Sequence, residues 1–171
     1  MAGLRKGIAY RKVVRPYTRK SKFKAKSYIK AVPLSKIVKF DMGNPQKKYD
    51  MKISLVSKQN IQIRHNALES ARIIVNRKLN KSLGTDYFFK VRPYPHHVLR
   101  ENKMLTGAGA DRMQSGMQQA FGKPVGLAAQ VKVGQPIFTA YVNRESVNHA
   151  KTALMSATPR MPGKFKVVIE S

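Results

Sequence analysis

Between Met1 and Phe40 the chain carries 13 lysines and arginines and no acid; the first carboxylate is Asp41. Such a segment cannot collapse on itself, because its charges repel and it has little apolar surface to bury. The imbalance runs through the whole chain, with 34 basic residues against 8 acidic ones and a formal charge of +26. A polyanion is the simplest compensation. Nucleic acid is the commonest, since each phosphate neutralised releases condensed counterions. An anionic membrane would require a basic helix with a bulky apolar face, and the basic end does not read as one.

Tyr10, Tyr17, Phe23 and Tyr28 interleave with these cations. Residues 1–45 therefore read as a basic RNA-binding arm, extended and ordered on its partner. The expected RNA contacts of the arm are phosphate contacts rather than readers of sequence: Arg5, Lys6, Arg11, Lys12, Arg15, Tyr17, Arg19, Lys20, Lys22, Lys24 and Lys26. Val32-Pro33 and Asp41-Met42-Gly43-Asn44-Pro45 read as turns.

From residue 46 to 171 the pattern predicts a single α+β domain. Tyr49, Met51, Ile53 and Leu55 alternate with polar residues as a strand does, and Ile61 and Ile63 make a second, joined to the first as a hairpin through Ser57-Lys58-Gln59-Asn60. Asn66 with Glu69 suggests a helix cap, Leu68, Ala71, Val75, Leu79 and Leu83 form one apolar stripe, and Gly84 ends the helix. Tyr87, Phe89 and Val91 give another strand. The order then repeats: strands through Leu127–Val133 and Ile137–Val142, a helix carrying Val147, Ala150, Leu154 and Ala157 after Asn143, and a last strand through Phe165, Val167 and Ile169. Two β-β-α-β halves imply a sandwich, a mostly antiparallel sheet with both helices on one face. The other strand phase holds Lys52, Arg64, Lys90, Arg92, Lys132 and Lys166, so the uncovered face should be basic.

Pro93 to Pro124 fits no clean period. Its stretch at about 100–118 reads as an inserted functional loop, with Gly107 and Gly109 for backbone freedom and Lys103 and Arg112 for phosphates. Met104 and Leu105 can wedge against bases or sugars. Gly107-x-Gly109 lacks the third glycine of a dinucleotide fingerprint, and no Gly-Lys-Ser/Thr follows, so it is not read as a nucleotide cradle.

The acids are scattered, no cysteine is present, and His65, His96, His97 and His149 form no ligand spacing. The expectation is a chain without catalytic residues, metal or cofactor. No apolar run approaches the length of a membrane span, and no secretory signal is evident at the N-terminus. An Arg-rich, acid-poor start is also compatible with an organelle transit peptide, but the same segment makes sense as an RNA-binding arm. A free nucleic-acid-binding protein and an RNA-modifying enzyme remain as alternatives to a ribonucleoprotein component.

Several blocks are specific: Arg15-Pro16-Tyr17-Thr18-Arg19, Lys39-Phe40-Asp41-Met42-Gly43-Asn44, Arg64-His65-Asn66-Ala67-Leu68-Glu69-Ser70-Ala71-Arg72, and Asn102-Lys103-Met104-Leu105 through Gly107-Ala108-Gly109-Ala110-Asp111-Arg112-Met113 to Ala120-Phe121-Gly122-Lys123-Pro124. Together they resemble the "ten-e" family of large-subunit ribosomal proteins of archaea and eukaryotes, counterpart of bacterial large-subunit protein sixteen. The chain ends at Ser171, without the C-terminal extension of eukaryotic members, and so is similar to the archaeal form. The resemblance implies an α+β sandwich with two helices on a sheet, bound to large-subunit ribosomal RNA and beside neighbouring subunit proteins in the cytoplasm. It implies that Asn102, Lys103, Met104, Leu105, Gly107, Ala108, Gly109, Ala110, Asp111 and Arg112 face the A-site and P-site tRNA corridor near the peptidyl-transferase centre. Lys123 joins Arg64, Lys90 and Arg92 as expected ribosomal RNA contacts outside the arm.

Overall fold

Residues 5–13, 21–105, 107–110 and 121–170 are described by the structure, a computed structural model. Among them, eight strands make two antiparallel sheets. The larger has the order β1 (Asp41–Gly43), β4 (Phe88–Val91), β7 (Pro136–Val142), β2 (Met51–Ser57), β8 (Phe165–Glu170). The smaller has the order β3 (Ile61–Arg64), β6 (Lys123–Val131), β5 (His97–Glu101). Helix α1 (His65–Leu83) packs on β3 and β6, helix α2 (Val147–Met155) packs on β2 and β7, and the two helices lie against each other.

Period-two alternation sends one side of each sheet into a common core. Ile53, Leu55, Phe89, Phe138 and Ala140 enter it from the larger sheet, and Ile61, Ile63, Ala129 and Val131 from the smaller. Leu68, Ala71, Val75 and Leu79 of α1 and Ala150, Ala153 and Leu154 of α2 close it from the other side. Each large side chain buried here stabilises the fold by about 1.5–3 kcal/mol. The α+β sandwich expected from the sequence is thus present, with two sheets in place of one.

The expected hairpin between the first two strands does not form. β2 has β7 on one edge and β8 on the other, so no edge is left for β3, which pairs with β6 instead. Residues 58–60 carry the chain from one sheet to the other. The two halves are interleaved rather than stacked, with strands of the first half flanked by strands of the second.

Two strands arise where none is expected. Asp41–Gly43, read as a turn, pairs with β4 from Asp41↔Lys90 to Gly43↔Phe88. Gly43 has φ +86°, and a β-carbon there would collide with the Tyr87 carbonyl, so the glycine ends this edge strand. His97–Glu101, inside the stretch without clean period, pairs with β6.

The helix cap also differs. α1 starts at His65 after an extended Arg64, with no capping side chain. Glu69 instead holds Arg72 bidentately, at 2.5 and 2.8 Å. A carboxylate one turn from an arginine meets a full charge there, which outweighs a single backbone N–H.

The described parts of the arm pack on the domain. A short 3-10 turn, Gly7–Tyr10, lies beside β3; the Gln62 N–H donates to the Arg11 carbonyl at 3.1 Å, and Gln62 Nε2 donates to the Tyr10 carbonyl at 2.9 Å. Ile29 is buried with Val98 and Leu127, and Ile37 joins the main core. The reading of this region as extended overlooked two isoleucines spaced among the lysines.

Candidate nucleic-acid interface

Outside the arm, the expected contact residues that the structure describes fall on three surfaces. On the outer side of the larger sheet, Lys52, Lys90, Arg92 and Lys166 share one strand phase, as the register Lys52↔Tyr141, Lys90↔Thr139 and Val56↔Lys166 requires. Arg64 and Lys132 do not join them: Arg64 ends β3 in the smaller sheet, and Lys132 lies just past the end of β6. The expected single six-cation face is therefore split, because the pattern of phases does not say which sheet a strand enters.

That outer face is also partly neutralised. Lys52 Nζ lies 2.6 Å from Glu170, and Lys90 Nζ lies 3.3 Å from Asp41. Arg92 Nε donates to Thr139 Oγ1 at 3.1 Å and its Nη2 to the Tyr141 hydroxyl at 2.9 Å, beside the stacked rings of Phe88 and Tyr141. Arg92 is thus held against the neighbouring strand while remaining exposed.

The second surface is a cleft of about 240 Å³ between the arm, the start of α1 and strands β5 and β6. Arg5, Arg64 and Lys103 line it together with Tyr10, His65, Asn66 and Glu101. Arg64 Nη1 donates to the Arg5 carbonyl at 3.0 Å, and its guanidinium sits 5.7 Å from the centroid of the Tyr10 ring. The Tyr10 hydroxyl donates to Glu101 at 3.4 Å, and Arg5 approaches the same carboxylate at 3.9 Å. Burial and then the Glu101 charge raise the Tyr10 pKa. Burial, followed by Lys36 and Arg64, lowers that of His65, whose Nδ1 accepts the Lys36 backbone N–H at 3.3 Å. Burial likewise lowers His97, with His96 and Arg100 adding to it.

The third surface is the root of the long connection between β5 and β6. Glu101 and Lys123 are cross-strand partners, so the connection leaves and re-enters the sheet at one point. Lys103, Met104, Leu105, Gly107, Ala108 and Gly109 are exposed, and Asn102 and Ala110 half-buried. Lys6, Lys12, Lys22 and Lys26 are exposed on the arm, with Lys26 Nζ over the Phe23 ring at 5.4 Å. Arg15, Tyr17, Arg19, Lys20, Asp111 and Arg112 lie outside the described residues, as does the side chain of Lys24.

The structure brings together Arg5, Arg64 and Lys103, which are far apart in sequence, and leaves Lys90 and Arg92 on a separate face. It also adds residues that the sequence reading gave no role: Arg100, whose guanidinium lies over Phe121, and His65. No periodic signal marks them: Arg100 meets Phe121 beside the β5–β6 pairing, and His65 meets the arm at Lys36. Among the described residues, no group of three or more His, Cys, Asp or Glu is placed to hold a metal ion, and no helix is long and apolar enough to cross a membrane.

Comparison with known proteins adds a family. Residues 14–168 match the model for ribosomal protein L16p/L10e. The chain is 52% identical to the large ribosomal subunit protein uL16 of Hyperthermus butylicus, across 86% of this chain and 79% of that one. It is 50% identical to the uL16 protein of Staphylothermus marinus, across 91% and 86%. With that of Methanococcus maripaludis it shares 48%, across 97% and 94%.

Proposed function

The chain belongs to the ribosomal protein L16p/L10e family and is a constituent of the large ribosomal subunit, and on that premise we propose that it binds large-subunit ribosomal RNA and shapes the tRNA corridor. The arm and the cleft of Arg5, Arg64 and Lys103 neutralise ribosomal RNA phosphates, with Lys123 at the loop root and the larger sheet's outer face as further contacts. The outer face carries less of this than the arm, because Lys52 and Lys90 already hold carboxylates. The loop from Asn102 to Arg112 lies along the A-site and P-site tRNA near the peptidyl-transferase centre, where glycine and alanine permit close approach. The protein makes or breaks no bond; its role is positional, and it acts ribosome-bound in the cytoplasm beside other subunit proteins.

The charge distribution carries this reading: 34 basic residues against 8 acids, in a chain that matches a ribosomal family over nearly its whole length. It is tested by fractionation. The protein should sediment with large subunits and stay on them through moderate salt, because many phosphate contacts act together. Recovery of most of the cellular protein free of subunits would overturn it.

A further inference from the structure

Four large apolar side chains at the root of the β5–β6 connection are exposed: Met104 by 65%, Leu105 by 51%, Val125 by 48% and Phe121 by 46%. Leu105, Val125 and Phe121 line one cleft of about 420 Å³, and the rest of its lining is polar: Glu101, Asn102, Lys103 and Lys123. The Phe121 ring is supported from elsewhere. The Arg100 guanidinium lies 4.5 Å from its centroid and the Tyr28 ring 5.9 Å away, and neither residue lines the cleft. Gly122 fixes its place along the chain, since a β-carbon there would come within 2.9 Å of the Glu101 backbone. Phe121 is thus pinned against the sheet.

An aromatic wall, aliphatic walls beside it and two ammonium groups at the rim match an unstacked nucleotide. A base presents a flat π-face to Phe121, and its phosphates meet Lys103 and Lys123. A cation over the far side of the ring adds to such a stack. We propose that this cleft holds one unstacked nucleotide of the large-subunit ribosomal RNA. The inference rests on the functional reading above and divides the loop: its root is anchored in ribosomal RNA, and only the part beyond Leu105 is left for tRNA. A permanent occupant is favoured because an apolar patch of this extent is unfavourable in water whenever it is uncovered, and tRNA departs in every elongation cycle.

The test places a photoreactive benzophenone analogue of phenylalanine at position 121 of the full chain. The protein is assembled into large subunits free of tRNA and irradiated. A cross-link to a single ribosomal RNA nucleotide, read as a reverse-transcription stop, is the expected result. A cross-link to residues 106–120 of the same chain or to a neighbouring protein overturns the proposal, as does one that forms only after tRNA is added. If the analogue prevents assembly, Phe121→Leu and Phe121→Tyr decide the matter. Loss of the ring should weaken retention on subunits roughly tenfold while tyrosine retains it; equal retention of both variants overturns the proposal. If the unsubstituted chain itself fails to sediment with large subunits, it is the functional reading that falls.

Discussion

His65 shows how a single side chain ties the arm to the domain. Its Nδ1 accepts the Lys36 N–H at 3.3 Å, which requires an unprotonated nitrogen. Burial, then Lys36 and Arg64, hold its pKa below the ordinary histidine value. The unfolded chain therefore takes up this proton at higher pH than the folded one. The stabilisation is complete above the unfolded value and declines as pH falls below it. Lowering the pH from about 7.5 to about 5.5 should lower the melting temperature, and His65→Gln should shrink that fall. It should not abolish it, because His97 is shifted in the same direction. A fall of the same size in the variant would show that His65 is not responsible. At this scale the sequence revealed residue types but not partners. Asn66 and Glu69 had the spacing of a capping box, yet Glu69 was taken by Arg72, and that choice depends on electrostatics the spacing does not encode.

For the elements, most of the fold was legible and the pairing was not. The apolar stripe of α1, the alternation in β2, β4, β6 and β8 and the apolar run of β7 give those elements from local pattern alone. β5 was hidden because Val98 and Leu99 are adjacent and Pro93 and Pro95 stand just before it, so it shows neither alternation nor length. β1 is three residues long and contains a glycine at positive φ, so it reads as a turn. The basic arm and the loop were visible in the sequence, whereas the clefts they form were not, because Phe121 meets Arg100 only through the β5–β6 pairing. That pairing leads to a prediction. With Glu101 opposite Lys123, the sheet closes without the tip of the connection, and the remaining residues 113–122 can still bridge its ends. Deleting residues 102–112 should change folding stability by less than about 1 kcal/mol, since closure entropy varies slowly with loop length. The same deletion should impair translation by the assembled subunit. A large drop in the melting temperature of the isolated variant would mean that the loop is part of the core.

At the scale of the whole molecule, charge dominates. Five ion pairs among the described residues engage five of the acids, leaving a large unbalanced positive field around a core of ordinary apolar packing. Off the ribosome this field opposes folding, and salt screens it. Raising salt from about 50 mM to about 500 mM should raise the melting temperature of the free protein by roughly 2–4 °C, the shift that about 1 kcal/mol produces in a chain of this size. A melting temperature that falls with salt would mean that the internal ion pairs outweigh the repulsion.

The interleaving of the halves also governs how the chain comes to fold during its own synthesis. β2, inside the larger sheet, is paired on one edge by β7 and on the other by β8, both made long after it. A fragment that stops before β7 leaves both edges of β2 unpaired, and contacts this distant in sequence form slowly. A nascent copy that has not reached β7 therefore lacks Ile137, Phe138, Ala140 and Val142 from its core. A rigid frame for the arm and loop thus waits on strands of the second half, because the topology places them between and beside those of the first.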